Sequence, residues 1–213
     1  MTAALPIAHF ANLDFVTPQL AVGGDLDPFN DRLAARQLDE LSELWFTHIV
    51  DARSEWSDEA SVAHAAPDVR YLHHGMDDAG QRVPAAWFEL AVGWVENAWA
   101  DDPDAVVLTH CHMGINRGPS LGFAVLLSLG WEPVAAINAL RSVRPQANVW
   151  YAADALHWHH ARTGVSTSTA REQQDALAAW RAAHPLDLVR LVRDGRERQA
   201  QRAEALGAAV LTR

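Results

Sequence analysis

Two short apolar runs rich in β-branched residues predict buried strands. They are THIVDAR at Thr47–Arg53 and DAVVLTHC at Asp104–Cys111, and polar or proline-containing stretches bound both of them. Two weaker candidates are FVTPQLAVGG at Phe15–Gly24 and VRYLHHG at Val69–Gly75. Because the first contains Pro18, we expect it to form a hairpin at the edge of the sheet. The pattern therefore predicts a sheet of four or five strands.

Helical patterns lie between and after these strands. Apolar residues at helical spacing predict helices over Asp31–Leu44, Pro84–Ala100 and Pro119–Gly130, and a fourth helix, PVAAINALRSVRP, should end before Pro145. Strands that alternate with helices are typical of an α/β domain with a mostly parallel central sheet flanked by helices.

The character of the chain changes after this region. The segment 163–169 is small and polar, and Thr169 with Glu172 fits a capping box that begins a helix. We therefore expect a main domain over residues 1–162, a linker over 163–169 and a helical extension over 170–213. The extension should pack on the main domain or mediate self-association into a homo-oligomer.

Composition narrows the class of protein. A chain of 213 residues with 49% hydrophobic and 21% charged residues is typical of a soluble globular protein with one main core. No apolar run approaches the roughly 18 residues of a membrane span and the N-terminus does not resemble a signal peptide, so a cytoplasmic protein is expected. The formal net charge of −10 disfavours nucleic acid and anionic membranes as partners, unless basic residues cluster locally.

The chemistry concentrates in HCHMGINRGPS, residues His110–Ser120, which holds the single cysteine of the chain, Cys111. A lone cysteine cannot form an intramolecular disulfide, so this thiol needs another explanation. Cys111 should lie at the carboxyl end of a buried strand, where open α/β sheets bind ligands. A loop that turns through Gly114 into a helix near Gly118 can point successive N–H groups inward, at a helix N-terminus that favours anions.

The expected ligand of this loop is a phosphate group. We expect the residues between the cysteine and the arginine to cradle it through their backbone: His112, Met113, Gly114, Ile115 and Asn116. The same positive field favours the thiolate form of Cys111, which is the nucleophilic form. Arg117 follows six positions later, and a closed loop brings its planar guanidinium back over the cysteine to grip two phosphate oxygens.

A cysteine, five residues and an arginine, preceded by His110 and containing Gly114, resemble the signature loop of cysteine-dependent protein phosphatases, and the dual-specificity branch fits best. The resemblance implies a protein tyrosine phosphatase-like fold, a phosphocysteine intermediate on Cys111 and transition-state stabilisation by Arg117. It implies no cofactor and no metal. The expected substrates are phosphotyrosine or phosphoserine/threonine proteins, or small phosphomonoesters.

The family also uses an upstream aspartate to protonate the leaving oxygen. In members of this family an aromatic residue ends a strand, and the acid follows seven positions later. An aromatic residue of the next helix follows ten positions after the acid. Tyr71, Asp78 and Phe88 match both spacings, which favours Asp78, and Asp77 is the alternative acid.

The loop departs from the family at Gly118, where many members have a serine or threonine whose hydroxyl helps the thiolate leave. Ser120 carries the nearest hydroxyl in the sequence. We expect His110 to orient the loop, and Arg144 either to buttress the loop by ion pairing or to end a helix. The loop carries no further fixed positive charge, which disfavours a highly charged inositol substrate.

Two other functions fit parts of this pattern. A rhodanese-like sulfurtransferase has a similar cysteine loop, commonly one residue shorter, and a catalytically weak phosphate-binding module would tolerate Gly118. The cluster HWHH at His157–His160 supplies one helical i,i+3 histidine pair without a matching carboxylate, so no metal site is predicted there.

Overall fold

Helices and strands alternate along the chain in the structure, a computed structural model that describes residues 4–211. Within these residues the strands are β1 (Leu13–Thr17), β2 (Leu20–Gly23), β3 (His48–Arg53), β4 (Arg70–Met76) and β5 (Val107–His110). The helices are α1 (Asp31–Glu43), α2 (Glu59–Ala65), α3 (Ala85–Asp101), α4 (Arg117–Ser128), α5 (Pro133–Val143), α6 (Ala152–Thr163), α7 (Thr167–Ala183) and α8 (Leu188–Leu211).

The strands form one sheet in the order β1-β2-β5-β3-β4. β1 and β2 are an antiparallel hairpin at one edge, and the pairs β2–β5, β5–β3 and β3–β4 are parallel. The prediction of a mostly parallel α/β sheet with an edge hairpin is confirmed. β5 lies in the middle of the sheet, so its carboxyl end opens onto the centre of the edge at which ligands bind in such folds.

Most of the apolar residues of helix α4 belong to the larger of two hydrophobic clusters. All of its residues from Arg117 to Leu127 are buried, because α4 lies on the sheet and is covered by α3, α5 and α6. A helix enclosed on all sides must be apolar around its whole circumference, as GFAVLL is. The first turn of α4 is therefore fixed by packing next to the carboxyl end of β5.

Two helices were not predicted. α2 buries only Val62 and so gives a weak hydrophobic pattern. α6 contains HWHH, where histidines obscure the apolar spacing of Ala155, Leu156 and Trp158, all of which are buried.

The predicted linker over 163–169 is wrong in its bounds. Only residues 164–166 separate α6 from α7, and the N-cap of α7 is Ser166, whose hydroxyl accepts the N–H of Thr169 at 3.1 Å. Ser166 therefore performs the role expected of Thr169. Leu177 and Trp180 of α7 lie in the main hydrophobic cluster, so the first helix of the predicted extension is part of the core.

No helix in the described range 4–211 combines the length and the apolar character that crossing a bilayer requires.

The packing of α4 generates a stability prediction. Leu126→Ala removes a fully buried side chain of α4, whereas Leu129→Ala changes a leucine that is 50% exposed at the end of the same helix. We expect Leu126→Ala to lower the free energy of unfolding by about 2–5 kcal/mol and Leu129→Ala by less than about 1 kcal/mol. Urea denaturation followed by circular dichroism measures both, and equal losses would contradict this account of the core.

Candidate active site

The backbone between Cys111 and Arg117 is held so that its carbonyl groups face outward. The carbonyl oxygens of residues 112–115 all accept hydrogen bonds from other parts of the chain. The donors are the N–H of Asp25 (3.1 Å), the Arg144 guanidinium (3.1 and 2.7 Å), and the N–H groups of Asn148 and Val149 (2.8 and 3.2 Å). A trans peptide unit points its N–H opposite to its C=O, so the N–H groups of residues 113–116 point into the loop.

Those inward N–H groups have no acceptor within the described part of the chain. They surround the space next to Cys111, whose side chain is buried and whose own N–H bonds the carbonyl of Gly23 at 3.2 Å. Successive amides that converge on one point form an anion site, and the first turn of α4 adds the positive end of a helix dipole. This geometry fits the predicted phosphate cradle.

Gly114 makes the turn of the loop possible. Its φ of +63° is in the left-handed region, where a Cβ is unfavourable. A Cβ at this position would also collide with the carbonyl of Gly23 and with the guanidinium of Arg144. No other residue fits here without displacing the loop.

Arg144, which caps α5, buttresses the loop, one of its two predicted roles. Its side chain is 1% exposed and donates to the carbonyls of Met113 and Gly114. The same guanidinium donates to Asp14 Oδ2 at 2.7 Å and to Asn12 Oδ1 at 2.9 Å, so it joins the loop to β1 and the residue before it. Burial lowers the pKa of Arg144, and Asp14 acts in the opposite direction.

Gly118 is packed directly against the end of β5. A Cβ there would stand 2.8 Å from the Cα of His110 and 3.0 Å from the nitrogen of Cys111. A serine or threonine therefore does not fit unless the backbone moves, which explains the departure from the family pattern. The hydroxyl of the buried Ser120, the nearest in sequence, accepts the N–H of Tyr151 at 3.1 Å, and the hydroxyl of Thr109 donates to the carbonyl of Gly118 at 3.0 Å.

The guanidinium of Arg117 is fixed by a carboxylate that the sequence analysis missed. Its Nη1 and Nη2 donate to the two oxygens of Glu55 at 2.6 and 2.7 Å, and Nη1 also donates to the carbonyl of Met76 at 2.9 Å. The hydrogen bond with Arg117 lowers the pKa of Glu55 to about 2. The Nε of Arg117 is buried and has no hydrogen-bond acceptor in residues 4–211.

Of the two candidate acids, Asp78 faces the loop. Its Oδ1 accepts from the hydroxyl of Tyr151 at 2.9 Å, its Oδ2 accepts from Asn116 Nδ2 at 3.1 Å, and Oδ2 lies 3.7 Å from Arg117 Nε. Asp77 instead accepts a bond from Ser54 at 2.7 Å. Burial, and then the bond to Asp78, raise the pKa of Tyr151 to about 12. Tyr151 was not predicted, because it is distant in sequence and lies outside any motif.

A buried network of charged residues contacts the loop at His112. Arg53 is fully buried and contacts Asp51 and Asp58 at 2.8 Å and Asp25 at 3.2 Å. Asp25 also contacts His112 Nδ1 at 2.8 Å, and this bond raises the pKa of His112, while burial raises the pKa of Asp25. His112 is thus anchored through its side chain as well as through its backbone.

His110 lies inside this network. Its side chain is buried, its ring packs edge-on against Tyr71 at 6.3 Å between centroids, and burial lowers its pKa. Its Nδ1 has no hydrogen-bond partner in residues 4–211 and its Nε2 lies 3.8 Å from Asp51 Oδ1, so the expected orienting role stays a prediction. Phe88, the third residue of the family spacing, is a core residue.

Comparisons with known proteins are consistent with this geometry. No family model matches the chain. The human dual specificity protein phosphatase 13B is 26% identical over 143 residues, which are 67% of this chain and 68% of that protein.

Solved structures share the fold. Human DUSP28 matches with a TM-score of 0.57 and 21% identity over 75% of this chain and 99% of its own. PTPMT1 in complex with PI(5)P matches with a TM-score of 0.58 and 16% identity over 72% of this chain and 97% of its own. A mouse putative dual specificity phosphatase complexed with zinc tungstate has a TM-score of 0.57 and 21% identity over 76% and 95% of the two chains. The resemblance to dual-specificity-type cysteine phosphatases and the protein tyrosine phosphatase-like fold are confirmed.

The buttressing by Arg144 can be tested without an activity assay. Arg144→Leu leaves two loop carbonyls and Asp14 without their donor, so we expect the free energy of unfolding to fall by roughly 3 kcal/mol. Tungstate binding, measured by isothermal titration calorimetry, should weaken at least about tenfold because the amides lose their alignment. Arg141→Leu on the same helix is the matched control. If Arg144→Leu binds tungstate as tightly as that control, Arg144 does not shape the cradle.

Proposed function

We propose that the protein is a metal-independent phosphomonoester hydrolase that acts through a phosphocysteine on Cys111. The observation that carries this proposal is the set of four outward carbonyls, which leaves the amides of residues 113–116 converging beside a single buried cysteine. The similarity to a human dual specificity phosphatase supports the same reaction. Phosphotyrosine or phosphoserine/threonine proteins are the proposed substrates.

In the first step the thiolate of Cys111 attacks phosphorus, an S–P bond forms and the ester P–O bond breaks. The loop amides and Arg117 hold the three equatorial oxygens, where negative charge is distributed in the transition state. Arg117 is suited to this because Glu55 fixes two of its nitrogens and leaves Nε without a protein acceptor in the described residues. Asp78 donates its proton to the leaving oxygen, which departs as the alcohol.

In the second step water attacks phosphorus and the S–P bond breaks, which releases inorganic phosphate and restores the thiolate. The carboxylate of Asp78 takes a proton from the attacking water, so the two steps leave the enzyme unchanged. Asn116 and Tyr151 hold Asp78 in place for both proton transfers. Ser120 is the proposed supporting hydroxyl because Gly118 carries none.

The nucleophile is tested with p-nitrophenyl phosphate in the presence of a chelator. We expect turnover by the wild type and a loss of at least about a thousandfold in Cys111→Ser, because the serine hydroxyl is a much weaker nucleophile at neutral pH. Undiminished turnover in the variant, or a strict need for an added divalent metal, would overturn the proposal. Turnover of thiosulfate instead would favour the sulfurtransferase, and tungstate binding without turnover would favour the binding module.

The general acid is tested with the neighbouring aspartates as a matched pair. Asp78→Asn should lower kcat about 100-fold for phosphotyrosine, whose leaving group needs a proton, and less than about tenfold for p-nitrophenyl phosphate. Asp77→Asn should leave both rates near the wild-type values because its carboxylate bonds Ser54. The reverse ranking of the two variants would assign the acid to Asp77.

A further inference from the structure

The C-terminal helix α8 lies against the phosphate loop. At Gly195 a Cβ would stand 3.9 Å from the Cε of Met113, so the tip of the Met113 side chain reaches the helix here. One turn later, Gln199 Nε2 donates to Asp27 Oδ2 at 2.8 Å, on the connection between β2 and α1. α8 therefore flanks the loop at its His112–Met113 end, whereas Asp78 bonds the loop at Asn116.

The face of α8 turned toward the loop is basic. Six of its residues line a cavity, and all of them except Arg196 recur at helical spacing: Leu191, Gly195, Arg196, Arg198, Gln199 and Arg202. A helix that docks on a domain normally presents an apolar stripe at these positions. Here two arginines and a glutamine occupy the stripe, so the helix and the loop do not close into a dry core.

The space left between them is a cavity of about 830 Å³, which we call the α8 cavity. The loop side is lined by His112, Met113 and Ile115, and the rim by the aromatic side chains of Phe29 and Trp56, which are 92% and 41% exposed. This volume falls in the range of about 300–1,000 Å³ that is typical of ligand sites.

Within the described residues, positive charge on the arginines of the α8 cavity is not neutralised by a direct ion pair. Asp25 supplies a carboxylate to its lining, but that group already bonds Arg53 and His112. In the portion of the chain that the structure describes, no carboxylate lies within 4.0 Å of the guanidinium of Arg198 or Arg202.

Outward-facing arginines of the same helix behave differently. Arg190 and Arg193 pair with Asp194 and Glu197 one turn away. Burial and then the positive charges of Arg144 and Arg198 lower the pKa of Arg202, whereas the carboxylates of Asp14 and Glu40 act in the opposite direction. In a protein of net charge −10, Arg196, Arg198 and Arg202 form a local cluster of basic residues that favours an anion.

We propose that the α8 cavity is a second anion subsite, in which Arg198 and Arg202 bind an acidic group of a phosphopeptide substrate while its phosphorylated residue lies over Cys111. The inference rests on the proposed phosphatase function and adds the class of substrate to it. A diffusing peptide fits better than an anionic bilayer, because the net negative charge of the whole protein repels an extended anionic surface. Exposed aromatic side chains at the rim suit contact with peptide side chains.

The geometry sets an approximate spacing for the second group. From Gly195, beside the loop, to Arg202 the helix advances by about 10 Å. An extended peptide covers that length in about three residues. Acidic side chains two to four positions from the phosphorylated residue should therefore reach the arginines.

The test compares two phosphotyrosine peptides that carry glutamates or glutamines at those positions. The wild type should show a kcat/KM at least tenfold higher for the glutamate peptide, and the preference should shrink in 0.5 M salt. The double variant Arg198→Gln/Arg202→Gln should lose most of the preference, whereas Arg190→Gln/Arg193→Gln, with the same change of charge on the same helix, should keep it. Arg198→Glu, at an exposed side chain, should reverse the preference and serves as the variant least disturbing to folding.

Equal activity of the wild type on both peptides would overturn the inference. An equal loss of the preference in both double variants would also overturn it, because that result indicates only a long-range effect of charge. A preference for a soluble short-chain phosphoinositide over the glutamate peptide, with the same dependence on Arg198 and Arg202, would overturn the peptide as occupant. Failure of the phosphatase proposal is distinguishable, because p-nitrophenyl phosphate would then not be hydrolysed. In that case the affinities of Cys111→Ser for the two peptides decide whether the subsite exists.

Discussion

The orientation of four peptide groups in the phosphate loop is the constraint on which the site depends. Amides can converge on an anion only if their carbonyls are satisfied elsewhere, since an unbonded buried carbonyl is costly. The structure supplies those partners from three directions: Asp25 after β2, Arg144 at the end of α5, and the Asn148–Val149 segment before α6. The sheet, the hairpin and two helices thus all contribute to one loop of five residues.

Three buried arginines hold this arrangement together, and each is matched to carboxylates. Arg53 contacts three aspartates, Arg117 is bidentate to Glu55, and Arg144 joins Asp14 to the loop carbonyls. A planar guanidinium can make several bonds in fixed directions, whereas an ammonium group cannot. Arg53 and Arg144 support the loop, and Arg117 with Glu55 and Asp78 supplies the charge that the proposed chemistry uses.

Local patterns predicted the features that depend on local sequence. The four predicted strand segments, helices α1, α3, α4 and α5, and the cysteine loop followed from apolar spacing and one short motif. Glu55 could not be found in this way, because the polar stretch SEWSDE has no period, and its approach to Arg117 follows only from the neighbouring positions of β3 and β5 in the sheet. The choice between Asp77 and Asp78 likewise depends on Ser54, Tyr151 and their distant contacts. The capping of α7 at Ser166 and the position of α8 over the loop are tertiary facts with no local signal.

The tight packing at Gly118 has an evolutionary consequence. A GGT or GGC glycine codon becomes a serine codon by one base change, so from such a codon the hydroxyl found in many related phosphatases is one mutation away. The backbone of His110 and Cys111 leaves no room for it. A lineage could acquire that hydroxyl only after a prior substitution had widened the junction between β5 and α4, so the order of mutations, rather than their number, separates this loop from its relatives.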